Sequence, residues 1–182
     1  MQQIIDGVGE VSLTPSSDYF ATLVDTIVGQ MISIKAADTI YARIVDAVGG
    51  VVSPESILAL ETDVLRGCGL SGRKTIYIQS LAERCISGEL DLAAFDSMED
   101  AEVKRALCSL HGIGAWSAEM FLMFSLGREN VFSAGDGGLV RALRDVYGVD
   151  AADKKAVKAC TDRWSPYNSV AALYLWKTLG NE

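Results

Sequence analysis

One histidine, three prolines and no Cys-x-x-Cys pair occur in 182 residues. The four cysteines, Cys68, Cys85, Cys108 and Cys160, are spaced by 17, 23 and 52 residues, and the histidine is His111. Zinc sites and four-cysteine iron–sulfur clusters need tighter ligand groupings, so neither is expected. The thiols read as reduced cysteines of a cytosolic protein. Cations are also scarce: 16 Lys and Arg stand against 24 Asp and Glu, a net charge of −8, and the pI is near 4.7. This excludes a basic, histone-like coat protein, and any contact with nucleic acid must be local. Met1 to Glu10 hold no basic residue and no sustained apolar run, so they do not read as a signal peptide. Apolar stretches elsewhere are broken by charge well short of the ~20 residues a membrane span needs.

What remains is a chain able to bury a large core, with 49% hydrophobic residues and a mean hydropathy of +0.22. No repeat, low-complexity tract or Pro/Ser-rich linker interrupts it, so residues 1–182 read as one compact unit. Helical periodicity dominates after about Ser17. Asp18 is placed to cap a helix reaching about Met31, with Phe20, Leu23, Val24, Ile27, Val28 and Met31 on one face. A second helix is expected over about 33–48, ended by Gly49-Gly50. Ser53-Pro54 marks another start, and Ser71 opens a longer helix to about Ser87. Further helices are expected near 91–95, 99–109, 116–126, 138–147, 151–164 and 167–179. Strand alternation is weak throughout. The fold class is all-α, with about ten helices.

The segment Cys108-Ser109-Leu110-His111-Gly112-Ile113-Gly114-Ala115-Trp116-Ser117-Ala118-Glu119 carries the most information. A helix ends, a Gly-x-Gly turn follows, and another helix begins. Glycine permits positive φ and lets a foreign backbone approach without Cβ interference. Amides after Gly114 would point outwards at a helix N-terminus, where unpaired N–H groups and the helix dipole favour a phosphate. An acidic protein could hold DNA in this way; an ordinary tight helix connection fits the same residues. Asp136 has glycine on either side and precedes the apolar pattern Leu139, Val140, Leu143 and Val146. It reads as a helix N-cap. A carboxylate so placed can also stabilise a cationic, oxocarbenium-like sugar or orient a water, and the two roles are compatible.

Leu110 to Glu119, followed by Val131-Phe132-Ser133-Ala134-Gly135-Asp136, resembles the helix–hairpin–helix DNA glycosylases, in particular the alkylbase DNA glycosidases or 3-methyladenine DNA glycosylases II. Supporting segments are Ile27-Val28-Gly29-Gln30-Met31-Ile32-Ser33, Gly69-Leu70-Ser71-Gly72-Arg73-Lys74, and Arg163-Trp164-Ser165-Pro166-Tyr167 with Trp176 beyond. Together they cover about residues 18–180, with the hairpin at about 105–126. The resemblance implies a helical glycosylase core with two lobes flanking a base pocket, without the N-terminal β-rich domain of larger members. Asp136 then becomes the catalytic carboxylate. Relatives that also cut the strand carry Lys two residues after the second hairpin glycine; here that place holds Trp116, which cannot attack as an amine. The implied activity is monofunctional: hydrolysis of the N-glycosidic bond of alkylated, 3-methyladenine-like bases in base excision repair, leaving an abasic site. A glycosylase for deaminated bases such as hypoxanthine, or a noncatalytic hairpin module, are the alternatives.

The same resemblance assigns Trp116, Met120 and Trp176 to the base pocket. An indole face attracts a cationic alkylated purine by ~0.5–2 kcal/mol, although Trp176, like Trp164, has the helical spacing of a core residue. Gln30 and Met31 match the loop that enters the duplex, an apolar wedge filling the space of a flipped base. DNA contacts are expected at Gln30, Met31, Gly112, Ile113, Gly114 and Ser117, with His111 a turn residue. No cofactor is required. A structural Na or K ion at the hairpin would be held by the carbonyls of Cys108, Leu110 and Ile113. The expected partner is double-stranded damaged DNA, bound by a monomer away from membranes, in the cytoplasm and at the nucleoid if the cell is bacterial. Over residues 137–177 seven cations face four Asp, a local +3, and Arg73-Lys74 could reach a further phosphate. Ser133 and Gly137 depart from the family pattern and are expected to loosen the loop around Asp136.

Overall fold

A computed structural model describes residues 1–180. Among them are eleven α-helices and one 3-10 turn, and no strand. The chain divides into two compact units, Ser16–Phe121 and Met1–Pro15 with Leu122 onwards.

In the unit 16–121, α2 (Tyr19–Gly29) starts where Asp18 accepts the Ala21 amide at 3.0 Å, and α3 (Ile34–Ala47) starts on Ser33 in the same way. A serine pair makes a capping box at α4 (Pro54–Leu58), with Ser53 and Ser56 exchanging bonds. The short α5 (Thr62–Gly67) precedes α6 (Gly72–Ile86), which Ser71 caps. A 3-10 turn, Ala93–Ser97, leads to α7 (Asp100–Cys108). The Gly-x-Gly turn then enters α8 (Ala115–Phe124). Helices α2, α4 and α5 all pack on α6. Leu23, Val24, Ile27 and Val28 of α2 are essentially inaccessible, as are Ile57 of α4, Leu65 of α5 and Ile78 of α6. Each such aliphatic side chain contributes ~1.5–3 kcal/mol of burial. Phe95 meets Phe121 edge-on at 5.9 Å, and Tyr19 meets the same ring at 5.5 Å.

The other unit contains α1 (Gln2–Val8), α9 (Gly137–Tyr147), α10 (Lys154–Trp164) and α11 (Asn168–Lys177), with α11 packed against the other three. Leu139, Leu143 and Leu175 are fully buried. Trp164 packs against Phe132 and Tyr147, with ring centroids at 5.9 and 5.4 Å, but it is only half-buried, short of the core position expected. The start of α11 braces the approach to Asp136. Ser169 donates from its hydroxyl to the Arg128 carbonyl at 2.6 Å and accepts the Val131 amide at 3.0 Å.

The expected all-α fold of about ten helices holds, with eleven among the described residues; α1 and α5 are the ones not anticipated. Two expectations need correction. Met31 is not on the buried face of α2: that helix ends at Gly29, and Met31 stands wholly exposed with φ of 58°. The loop before α9 is not loosened by Ser133, which is fully buried and accepts the Asp136 amide on its carbonyl at 3.1 Å, while Gly137 is the first residue of the helix. No helix among the described residues is long and apolar enough to cross a membrane.

None of the four cysteines is disulfide-bonded. Burial, reinforced by the Glu55 carboxylate, pushes the Cys85 thiol up to about 11. Its thiolate fraction at pH 8 is therefore on the order of one in a thousand. Exposed Cys108 should alkylate first with iodoacetamide, and mass spectrometry should find Cys85 lagging until the pH approaches its own pKa.

Candidate DNA-repair site

Two arrangements of functional side chains form, one in each unit. The first is built on the Gly-x-Gly turn. Gly112 has φ of 85°, and a Cβ there would lie 2.3 Å from Cδ2 of Tyr77. Only glycine fits. The Tyr77 ring continues over the turn and stacks on His111, with centroids 6.3 Å apart, so His111 is the turn residue the sequence implies. Gly114 differs: a Cβ there meets nothing within 4 Å, so its open side is available to an outside partner. Ile113 and Ser117 are each 5% exposed. With their side chains buried, these two positions are left to meet DNA through backbone groups. Flanking the turn, Lys104 of α7 pairs with Glu119 of α8.

Beside this turn lies a cavity of about 630 Å³ lined by Trp116, Met120 and Ser117, by Gln30 and Met31, and by Asp25 and Asp38. Trp116 is 45% exposed. The two carboxylates are the only ionisable lining groups. Burial, and then the neighbouring Asp38, raises the pKa of Asp25 above the usual carboxylate range. Sequence reasoning did not single out this pair, because Asp25 and Asp38 lie on different helices and form no spaced motif. Gln30 turns its amide inwards and donates to the Gly112 carbonyl at 2.6 Å. Lys74 also differs from expectation. Rather than reaching outwards, its ammonium donates to the carbonyls of Val28 and Gln30, both at 2.8 Å. Burial pushes its pKa down.

The second arrangement centres on Asp136, the N-cap of α9. Its Oδ1 accepts the Leu139 amide at 2.8 Å and the indole N–H of Trp176 at 2.8 Å. Trp176 is therefore not merely a core aromatic. Its ring is backed by Phe124 at 6.0 Å, and it borders a cavity of about 520 Å³ with Leu173 and Lys177. Gly138 lets the ring come close: a Cβ there would sit 3.0 Å from Trp176 Cδ1 and 3.1 Å from Asp136 Oδ1. Among the described residues no group of three or more His, Cys, Asp or Glu is placed to hold a metal ion.

A Gly-x-Gly hairpin between two helices, followed by a carboxylate fixed at the start of a later helix, defines a class of DNA-repair proteins. The chain belongs to the HhH-GPD superfamily of base excision DNA repair proteins, whose profile matches residues 24–166. It is similar to the Bacillus subtilis protein YfjP, at 34% identity over 84% of this chain and 56% of that protein, so it spans little more than half of YfjP's length. Among solved structures it resembles a DNA-3-methyladenine glycosidase from Bacillus halodurans, with a TM-score of 0.90 and 42% identity over 99% of this chain and 84% of the other. It also resembles a Schizosaccharomyces pombe 3-methyladenine DNA glycosylase in complex with abasic DNA, with a TM-score of 0.81 and 28% identity over 97% and 89%.

The packing at Gly138 yields a test. Alanine there gains ~1 kcal/mol of helix propensity, but overpacking typically costs ~1–3 kcal/mol, and Phe124 stands behind the indole. Gly138→Ala should lower the melting temperature, and its crystal structure should show the Trp176–Asp136 bond lengthened.

Proposed function

We propose that the chain is a monofunctional DNA N-glycosylase that removes alkylated, 3-methyladenine-like bases from double-stranded DNA and leaves an abasic site. The observation that carries this reading is the Asp136 carboxylate, held by the Leu139 amide and the Trp176 indole through one oxygen. A carboxylate oriented in this way stabilises positive charge developing on a sugar as its C1′–N bond lengthens. The bonding electrons leave with the base. An alkylated purine is already cationic and departs as a neutral molecule, so no strong general acid is needed. Water then adds at C1′, and its proton passes to solvent. The cavity beside the hairpin suits such a base, since it offers the Trp116 face and two carboxylates and no cationic side chain.

DNA is held chiefly through backbone. The hairpin presents a helix N-terminus with the open side of Gly114. The hairpin carries the carbonyls of Cys108, Leu110 and Ile113, of which that of Leu110 accepts the Ile113 N–H at 3.2 Å. These three oxygens would hold a monovalent Na or K ion, which would neutralise part of a nearby phosphate's charge. Met31, exposed at the tip of the turn after α2, supplies the wedge that fills the flipped base's place. The protein acts as a monomer, and Trp116 stands where lyase-competent relatives place their amine nucleophile.

The test is release of bases from methylated duplex DNA. Asp136→Asn should lower the single-turnover rate by ~10²–10³-fold while lesion binding persists. Release unaffected by the change would overturn the catalytic assignment, and binding with no release in either protein would favour a noncatalytic module. A panel including hypoxanthine separates alkylated from deaminated substrates. Borohydride should trap no covalent adduct with the native enzyme; an adduct would assign an amine nucleophile to one of its seven lysines or to its N-terminus.

The hairpin carries a separate test. Gly114→Val should fold normally, because its Cβ enters open space, yet weaken binding to all duplex sequences alike. Its salt dependence should stay shallow in both proteins, since few cationic side chains displace counterions.

A further inference from the structure

We propose that Lys74 is a positioning residue for the Met31 wedge: its ammonium ties down the turn that presents Met31, and so fixes that side chain relative to the hairpin. The inference rests on the DNA-glycosylase reading above and assigns a function to a residue outside the cavity and the hairpin.

Helix α2 ends at Gly29, leaving its last carbonyls without helical partners. Lys74 enters there from the first turn of α6. It bridges the Val28 carbonyl, inside the helix end, and the Gln30 carbonyl, beyond it, at 2.8 Å each. A cation at a helix C-terminus is favoured by the dipole, and charge-assisted bonds are stronger than neutral ones. Residue 31 follows at once, in the left-handed region at φ of 58°. A non-glycine residue there costs ~1–2 kcal/mol, and the side chain is wholly exposed, so no packing of its own holds it in place. The Lys74 bridge supplies the constraint.

The same helix reaches the hairpin. One turn after Lys74, Tyr77 occupies the space a Cβ of Gly112 would need. Gln30 closes the circuit by donating to the Gly112 carbonyl at 2.6 Å. Lys74, Gln30, Gly112 and Tyr77 therefore join the wedge turn, the hairpin and α6 into one ring of contacts. In that ring Lys74 is the member that bonds the wedge turn on both sides of the end of α2.

The experiment uses the full chain and a duplex carrying a tetrahydrofuran abasic analogue beside 2-aminopurine, whose fluorescence rises when a wedge unstacks it. No chemistry occurs on this probe. Native protein should give the rise, and Lys74→Met should reduce it by about tenfold, in proportion to the two charge-assisted bonds lost. Affinity for undamaged duplex should change less than about twofold, because the hairpin is retained. Lys74→Arg should restore most of the signal, and Lys74→Met added to Met31→Ala should cost nothing beyond Met31→Ala alone. A merely structural residue would instead weaken all binding and add its penalty in the double variant. Should Lys74→Met melt below the assay temperature, Lys74→Gln is read in the same way. An unchanged signal in Lys74→Met, additive penalties, or no rise with native protein would overturn the proposal. Absence of base release from methylated DNA, with the fluorescence pattern intact, would overturn the glycosylase reading alone.

Discussion

Tyr77 takes the place in which any residue but glycine at position 112 would put its first side-chain carbon. That exclusion ties the hairpin turn to α6. With the turn fixed there, the Gly112 carbonyl can receive Gln30, and α6 can also reach back through Lys74 to the end of α2. Gln30 and Gly112 in turn line the cavity next to Trp116 and Met120. The glycines of the turn thus have unlike duties. Gly112 admits a neighbour from within the protein, and Gly114 leaves room outside it.

Around Asp136 the constraint is directional. One carboxylate oxygen accepts both a helix amide and an indole N–H. Such bonds limit rotation of the carboxyl group as well as its displacement, which is the fixity the proposed catalytic role requires. The Trp176 ring can approach because position 138 has no side chain, and Ser169 secures the incoming loop from the other end of the same helix, α11. Capping and the proposed catalytic role do not compete for this residue. The cap is what orients it.

Local signals made most of the fold legible. Asp18, Ser33, Ser53, Ser71 and Asp136 each precede an apolar pattern, and each caps a helix. The short helices α1 and α5 lack such a side chain and were not legible. At Met31 the helical period ran past the real end of α2, since spacing alone carries no sign of a left-handed φ. The site divided in the same way. Hairpin glycines and Asp136 stood out as compact motifs, and resemblance to a known family added Trp116 and Trp176. Lys74 and Gln30 meet partners 46 and 82 residues away, and nothing in their own neighbourhoods shows which carbonyls they serve. Asp25 and Asp38 face one cavity from separate helices for the same reason.

With Met31 as the proposed wedge, position 31 sets stability and activity against each other. Glycine or asparagine would adopt its backbone angle with less strain, and neither would sacrifice packing, because Met31 makes none. On the proposed wedge role of Met31, selection for a hardier protein would therefore erode that side chain first. A random library at this one position, sorted once for thermal resistance and once for repair of methylated DNA, would draw apart into small or polar residues in the first pool and long apolar ones in the second.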